Sequence, residues 1–175
     1  MRSSIWVFVF FLFTRTGFAQ YHPVDKESSV HFTIKNFGFS VGGSLGGLAG
    51  NIRFNPDSLS AALFDISLDA ASINTDNNMR DGHLKEDEYL DVKNHPRILF
   101  VSESIHAKKR DEYQMTGKLT IKNKTKQISF PFHANPSGNG YIFEGSFKIN
   151  RKDFEVGGSS TLSDNLTVDL KVAAK

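Results

Sequence analysis

Alternation of apolar and polar residues runs through this chain from Tyr21 towards its C-terminus, and it confines the fold to strands with one buried side. Val30, Phe32 and Ile34 alternate with His31, Thr33 and Lys35. Ile52 and Phe54 flank Arg53, and Phe64, Ile66 and Leu68 alternate with Asp65, Ser67 and Asp69. Tyr113, Met115, Gly117, Leu119 and Ile121 share one face, and Ile128, Phe130 and Phe132 follow. Tyr141, Phe143, Phe147 and Ile149, then Leu166, Val168, Leu170 and Val172, complete the series. Successive side chains of a strand point to opposite faces, so each run has one apolar and one wetter face. Antiparallel strands with a single buried side read this way.

The breaks between runs are turn chemistry. Asn55-Pro56-Asp57, Asn123-Lys124 and the stretch from Asn135 to Gly140 use residues that tolerate tight or left-handed backbone. Lys118–Ile121 and Gln127–Phe132, on either side of Asn123, are expected to form one hairpin. About eight short strands at this spacing predict a sandwich or a barrel. The chain has no cysteine, which excludes disulfides, thiolate chemistry and cysteine metal sites. A closed barrel suits such a chain, because it leaves no sheet edge to protect.

Two stretches break the alternation. Gly42-Gly43-Ser44-Leu45-Gly46-Gly47 is expected to be a bend, a bulge or a loop. It lacks the Lys-Ser/Thr end of a phosphate cradle. Residues 76–91 are strongly polar with sparse apolar anchors, and predict one or two short helical turns laid across the barrel. Pro96 marks entry to a strand at Arg97–Ser102.

The first nineteen residues read as a leader. Arg2 precedes the unbroken apolar run Ile5–Phe13, and Gly17 and Ala19 place small residues before a cut ahead of Gln20, the layout of a secretory signal peptide. Nine apolar residues are too few to span a bilayer, which needs about 20. Cleavage would leave residues 20–175 as one domain, periplasmic or secreted, without stable membrane insertion. It also removes Arg2 and Arg15, so the 21 Lys and Arg become 19 against 19 Asp and Glu. No basic stripe remains as a footprint for nucleic acid.

In the polar insert and the strands around it the sequence resembles the YceI family. The elements that carry the resemblance are Ser72-Ile73-Asn74-Thr75, Arg80-Asp81-Gly82-His83-Leu84, Glu88-Tyr89-Leu90-Asp91 and the Pro96–Ser102 segment. Gly117–Ile121 with Thr125-Lys126, Ile149–Phe154 and Leu162–Val168 extend it, and Tyr21, Asp25, Ser29, Val30 and Phe32 fit at the start. Three positions depart from the family pattern: Asn36 stands where His is usual, Leu45 where Phe is usual, and Glu155 where Gly is usual. The resemblance implies an all-β fold, an eight-stranded antiparallel lipocalin-like β-barrel with the short helical insert around residues 76–91. It also implies an exported bacterial protein with an apolar pocket for a polyisoprenoid or another long-chain lipid, without a cofactor.

The residues alone leave two readings of the barrel interior open. An eight-stranded barrel is wide enough either to fill with side chains or to hold one small ligand, and the resemblance favours a cavity. Its expected walls are Phe32, Ile34, Phe39, Ile52, Phe54, Phe64, Ile66, Leu68, Phe100, Phe130, Phe143 and Phe147. Arg80, Asp81 and His83 form the most polar cluster. One reading makes His83 a general base oriented by Asp81. The other has Asp81 and Arg80 cap and pin the insert, with His83 hydrogen-bonded beneath it. Arg80 and His83 are further candidates to meet a ligand head group at the barrel mouth. His83 and Glu86 share a helical face but do not make a metal site, since zinc normally takes three or four ligands. No nucleophile–base pair is legible, so a binding protein rather than an enzyme is expected. The oligomeric state stays open, a dimer included.

Overall fold

The computed structural model describes residues 19–159 and 161–175. The leader expected over residues 1–19 therefore lies, except for Ala19, outside the described residues. The chain is all-β apart from short helical pieces. Its strands are β1 (Gln20–Tyr21), β2 (Ser29–Asn36), β3 (Phe39–Leu45), β4 (Ala49–Arg53), β5 (Leu63–Asp69), β6 (Arg97–Lys109), β7 (Glu112–Ile121), β8 (Lys124–Ser137), β9 (Gly140–Asn150) and β10 (Leu162–Ala174). They form one antiparallel sheet in the order β1-β4-β5-β6-β7-β8-β9-β10-β2-β3.

Residues 22–24 carry the chain from β1, beside β4, to β10. β1 pairs with β4, and the chain then crosses to the end of β10, where His22 and Lys175 exchange backbone hydrogen bonds and the Val24 N–H donates to the Ala173 carbonyl. β3 and β4 form one path bent at Gly46–Gly47, with the Asp69 N–H donating to the Gly46 carbonyl and Ser44 exchanging hydrogen bonds with Asn74. Residues 70–77 thus bridge β3 to the β5 side and lead into α1 (Asn78–Lys85).

The alternation holds along β2, β4, β7 and most of β8, and the hairpin around Asn123 forms as expected. Ile121 pairs with Lys124. The two turn residues, Lys122 and Asn123, both take positive φ, 49° and 61°, as a type I′ turn requires. Among the described residues, ten strand segments stand where about eight were expected. One of the extra two is β1, too short to show a period. The other is β3: residues 42–45, expected as a bend or loop, are strand, and only Gly46–Gly47 bend. The Phe32 ring explains one of the glycines. It lies over Gly43, where a Cβ would stand 2.5 Å from a ring carbon and 2.9 Å from the Asn74 carbonyl. Two smaller boundaries also move. β6 runs on to Lys109 through a register shift between Ser102 and Ser104. In the Asn135–Gly140 stretch only Gly138-Asn139 turn, since Ser137 already pairs with Gly140.

Glu155, one of the three departures, takes left-handed backbone at φ 54°, ψ 39°, closing the short 3-10 turn Arg151–Phe154. A Cβ there crowds the following carbonyl at a cost of about 1–2 kcal/mol. Its ion pair with Lys124, 2.8 Å and largely exposed, offsets little of this, because solvent screens it. Glu155→Gly is therefore expected to raise the melting temperature by roughly 2 °C, and calorimetry of the two proteins checks it.

Candidate functional site

The interior divides along the barrel axis. At the end sealed by residues 22–24 it is packed with aromatic rings. Phe54, only 3% exposed, lies 5.2 Å edge-on from Tyr113 and from Tyr141 and 5.3 Å from Phe143. Phe64 stands 4.9 Å from Phe143. Edge-to-face contacts at these distances contribute about 0.5–1.5 kcal/mol each beyond area burial. Burial in this plug raises the pKa of the Tyr113 hydroxyl, with Asp111 and Asp57 adding to the shift. Burial raises Tyr141 in the same way.

Above the plug the barrel is hollow. A cavity of about 570 Å³ extends from a floor that includes Phe64, Phe132 and Phe143 to a mouth flanked by Thr75, Met79, Arg80 and His83. Barrel interior and cavity are therefore not alternatives, since one end is filled and the other is open. The walls stay apart because large rings pack flat over glycine on a neighbouring strand. Phe32 lies over Gly43, and Phe100 lies over Gly117, where a Cβ would stand 2.5 Å from a ring carbon. Gly43→Ala leaves the backbone conformation available but displaces the Phe32 ring into the hollow. It is expected to cost about 1–3 kcal/mol and to reduce the lipid carried by the purified protein, read by melting and by an organic extract.

Of the expected wall residues, Phe32, Ile34, Ile52, Phe64, Ile66, Leu68, Phe100, Phe130, Phe143 and Phe147 do line the cavity. Phe54 and Phe39 stand outside it. Phe54 belongs to the plug below the floor. Phe39 shares the inward face of β3 with Val41 and Leu45, but it sits beyond the rim at the β2–β3 turn, paired with Asn36, and is 78% exposed. Alternation assigns a face, whereas height along the axis comes from register. Asn36 and Leu45, two of the departures from the family pattern, both line the cavity, as do Leu166, Val168, Leu170 and Val172 of β10. The β10 series was legible as an inward face from its alternation.

The polar cluster resolves residue by residue. The cap of α1 is Asn77, whose side-chain oxygen accepts from the Arg80 N–H at 3.0 Å, not Asp81 or Arg80. Those two pin the insert instead. Asp81, buried, accepts from the N–H and the hydroxyl of Thr75. Arg80 donates through Nε to the Thr75 hydroxyl and through Nη2 to its carbonyl, both at 2.7 Å. His83 does not lie hydrogen-bonded beneath the helix. It is exposed at the mouth, and among the described residues its ring has no hydrogen-bond partner. Asp81, occupied by Thr75, does not orient it.

Arg151 escaped the sequence reading, because an Arg-Lys-Asp run reads as solvated surface. It is only 4% exposed and fans its donors over the backbone of the loop that borders the mouth. Nη1 reaches the carbonyls of Val156 and Gly157 at 2.7 Å, Nε that of Ser163 at 3.0 Å, and Nη2 that of Leu162 at 3.2 Å. Val156, Thr161 and Leu162 of this loop face the cavity. Among the described residues its only charged partner is Asp164, at 3.4 Å. Among the described residues no helix is long and apolar enough to cross a membrane.

Known proteins share this architecture and sequence. A family model described as the YceI-like domain matches residues 21–174. The protein YceI of Salmonella agona is 31% identical over 183 residues, covering 100% of this chain and 93% of its own. Among solved structures, BcnA of Burkholderia cenocepacia is 24% identical, with a TM-score of 0.81 over 86% of this chain and 98% of that one. A polyisoprenoid binding domain from Saccharophagus degradans, implicated in plant cell wall breakdown, is 12% identical, with a TM-score of 0.72 over 89% of this chain and 97% of that one. These two structural likenesses establish the fold. With the family model spanning the barrel and the Salmonella protein aligned along the full length, the chain belongs to the family of YceI-like domains.

Proposed function

We propose that this protein is exported and carries or sequesters an isoprenoid-type or similar long-chain lipid in its cavity, without converting it chemically. The observation that carries the reading is the apolar hollow of about 570 Å³ above an aromatic floor. Burying each chain carbon there stabilises by about 0.8 kcal/mol with no directional demand, which suits a hydrocarbon chain. At about 30 Å³ for each water-sized group, the cavity of about 570 Å³ accommodates on the order of twenty chain carbons. Arg80 and His83 at the mouth are placed to meet a polar head group. The polyisoprenoid binding described for the Saccharophagus neighbour supports the same class of ligand. The binding reading over an enzymatic one is supported by Asp81, whose buried carboxylate is committed to Thr75 and so does not activate His83.

Mass spectrometry of an organic extract of the natively purified protein tests this. A stoichiometric amphiphile with a chain near the expected length is the supporting result. A protein that yields no lipid, and takes up none when offered prenols, sinks it. Turnover of the bound compound would transfer the cavity to an enzyme. Export is tested separately. The mature protein is expected to begin at Gln20 and, having lost Trp6, to lack tryptophan absorbance. An intact mass that still includes Trp6 overturns the export reading.

A further inference from the structure

The three most exposed large apolar side chains among the described residues are Phe37, Phe39 and Met79, at 75%, 78% and 76%. All three belong to segments that frame the cavity mouth. Phe37 and Phe39 flank the tip of the β2–β3 hairpin, whose Asn36 and Val41 line the cavity, and Met79 lines it from the first turn of α1. Large apolar groups gathered and exposed in one region of a soluble surface mark a contact with another apolar phase. Phe37 adds an independent sign. It sits at φ 50° before Gly38 at φ 85°, a left-handed position that favours Asn or Gly and is an outlier for a bulky ring. Its side chain gains no burial in exchange.

We infer that the mouth docks on a lipid bilayer, with Phe37, Phe39 and Met79 entering the interface so that an apolar chain passes between membrane and cavity without crossing water. This rests on the ligand reading above. A chain that leaves through open water exposes every carbon in turn, whereas a mouth seated on the bilayer replaces protein wall with lipid at each step. Aromatic side chains are suited to the interfacial region. Lys35, exposed and paired with Ser40 next to the tip, adds a cation at head-group height.

The test uses phosphatidylcholine vesicles doped with a twenty-carbon prenol, and the variant Phe37→Asn with Phe39→Ser, which leaves the cavity-lining Met79 in place. Asn tolerates the left-handed backbone, and matching melting curves verify the fold. The native protein is expected to float with the vesicles and extract the prenol from them. The variant is expected to lose flotation and to extract at least tenfold more slowly, while taking up the same prenol from an ethanolic dispersion as well as the native protein does. Equal extraction by both proteins overturns the docking inference and leaves the ligand reading standing. Loss of uptake from the dispersion as well also overturns it, because the two phenylalanines are then ligand contacts. So does a native dimer that the variant dissolves without any vesicle binding, which assigns the patch to a second copy of the chain. A native protein that takes up prenol by neither route removes the ligand reading and the docking inference together.

Discussion

Arg151→Met is expected to lower the stability of the barrel by about 3–5 kcal/mol, the cost typical of removing a buried, hydrogen-bonded charge. In a domain of this size each kcal/mol shifts the melting temperature by roughly 2–4 °C, so the midpoint should fall by at least several degrees. The guanidinium is enclosed and supplies donors to the carbonyls of Val156, Gly157, Leu162 and Ser163. Methionine keeps the stem but leaves those carbonyls without a partner, and each orphaned group costs about 1–3 kcal/mol unless water reaches it. Because the loop borders the cavity mouth, water does reach it once the loop opens. Amide exchange in residues 156–163 should therefore accelerate more than exchange in β7 or β8. Arg151→Lys is expected to recover only part of the loss, since one ammonium cannot reach acceptors spread on several sides. Thermal melting of both variants and hydrogen exchange of the first are the measurements. Arg110→Ala is the control: its side chain is 96% exposed, and surface changes of this kind stay within about 0.5 kcal/mol. An Arg151→Met protein that melts like this control would show that the network does not hold the loop.

The second large effect comes from placing the same charge at two heights in the barrel. Ile66 lies half-buried on β5 opposite Phe100 and lines the hollow. Phe54, only 3% exposed, lies in the plug below the floor. In Ile66→Lys the ammonium can extend into the open volume and draw in water, so the protein should fold with a loss of about 1–3 kcal/mol. A hydrated charge beside the chain excludes hydrocarbon, and the purified variant should yield no lipid. In Phe54→Lys the ammonium is enclosed among the rings of Tyr113, Tyr141 and Phe143 and has no such volume. The effective cost of several kcal/mol for an unpaired buried ion takes much of a total stability of about 5–15 kcal/mol, and the protein should fail to fold. Melting curves and organic extracts of the pair give the answer. If Ile66→Lys unfolds as completely as Phe54→Lys, the upper barrel does not behave as an open chamber. If it folds and still carries lipid, the chain does not occupy the volume beside Ile66.

Much of this architecture is local in origin, which is why it can be read from the chain. The inward column of β10, Leu166 to Val172, follows from a period of two that any strand must obey. The β7–β8 turn follows from Asn123 and its neighbour, and the helical insert from a polar stretch bounded by strands. The fold family was legible from motifs spread over the whole domain. Other features depend on where distant segments meet. Gly43 looks like a loop residue until Phe32, on the neighbouring strand, is found lying over it. Phe39 and Phe54 obey the alternation as well as any wall residue, yet one stands above the rim and the other below the floor. Register against the neighbouring strands decides that height. Arg151 reads as surface because its acceptors are backbone carbonyls, which every residue possesses and no sequence motif announces. Asp81 reads as a partner for His83 because they are two residues apart, and the return of Thr75 across the insert takes it away.

The sequence by itself thus determined eight of the ten strands, which of their faces point inward, and the family. Each rests on short-range geometry or on motifs within a continuous stretch. Only the tertiary structure decided that the interior is packed at one end and hollow at the other. Total apolar content is the same in a filled barrel and a half-filled one. The difference lies in whether each ring turns into the lumen or lies back over a glycine on the next strand, and that is set by the side chain it meets there.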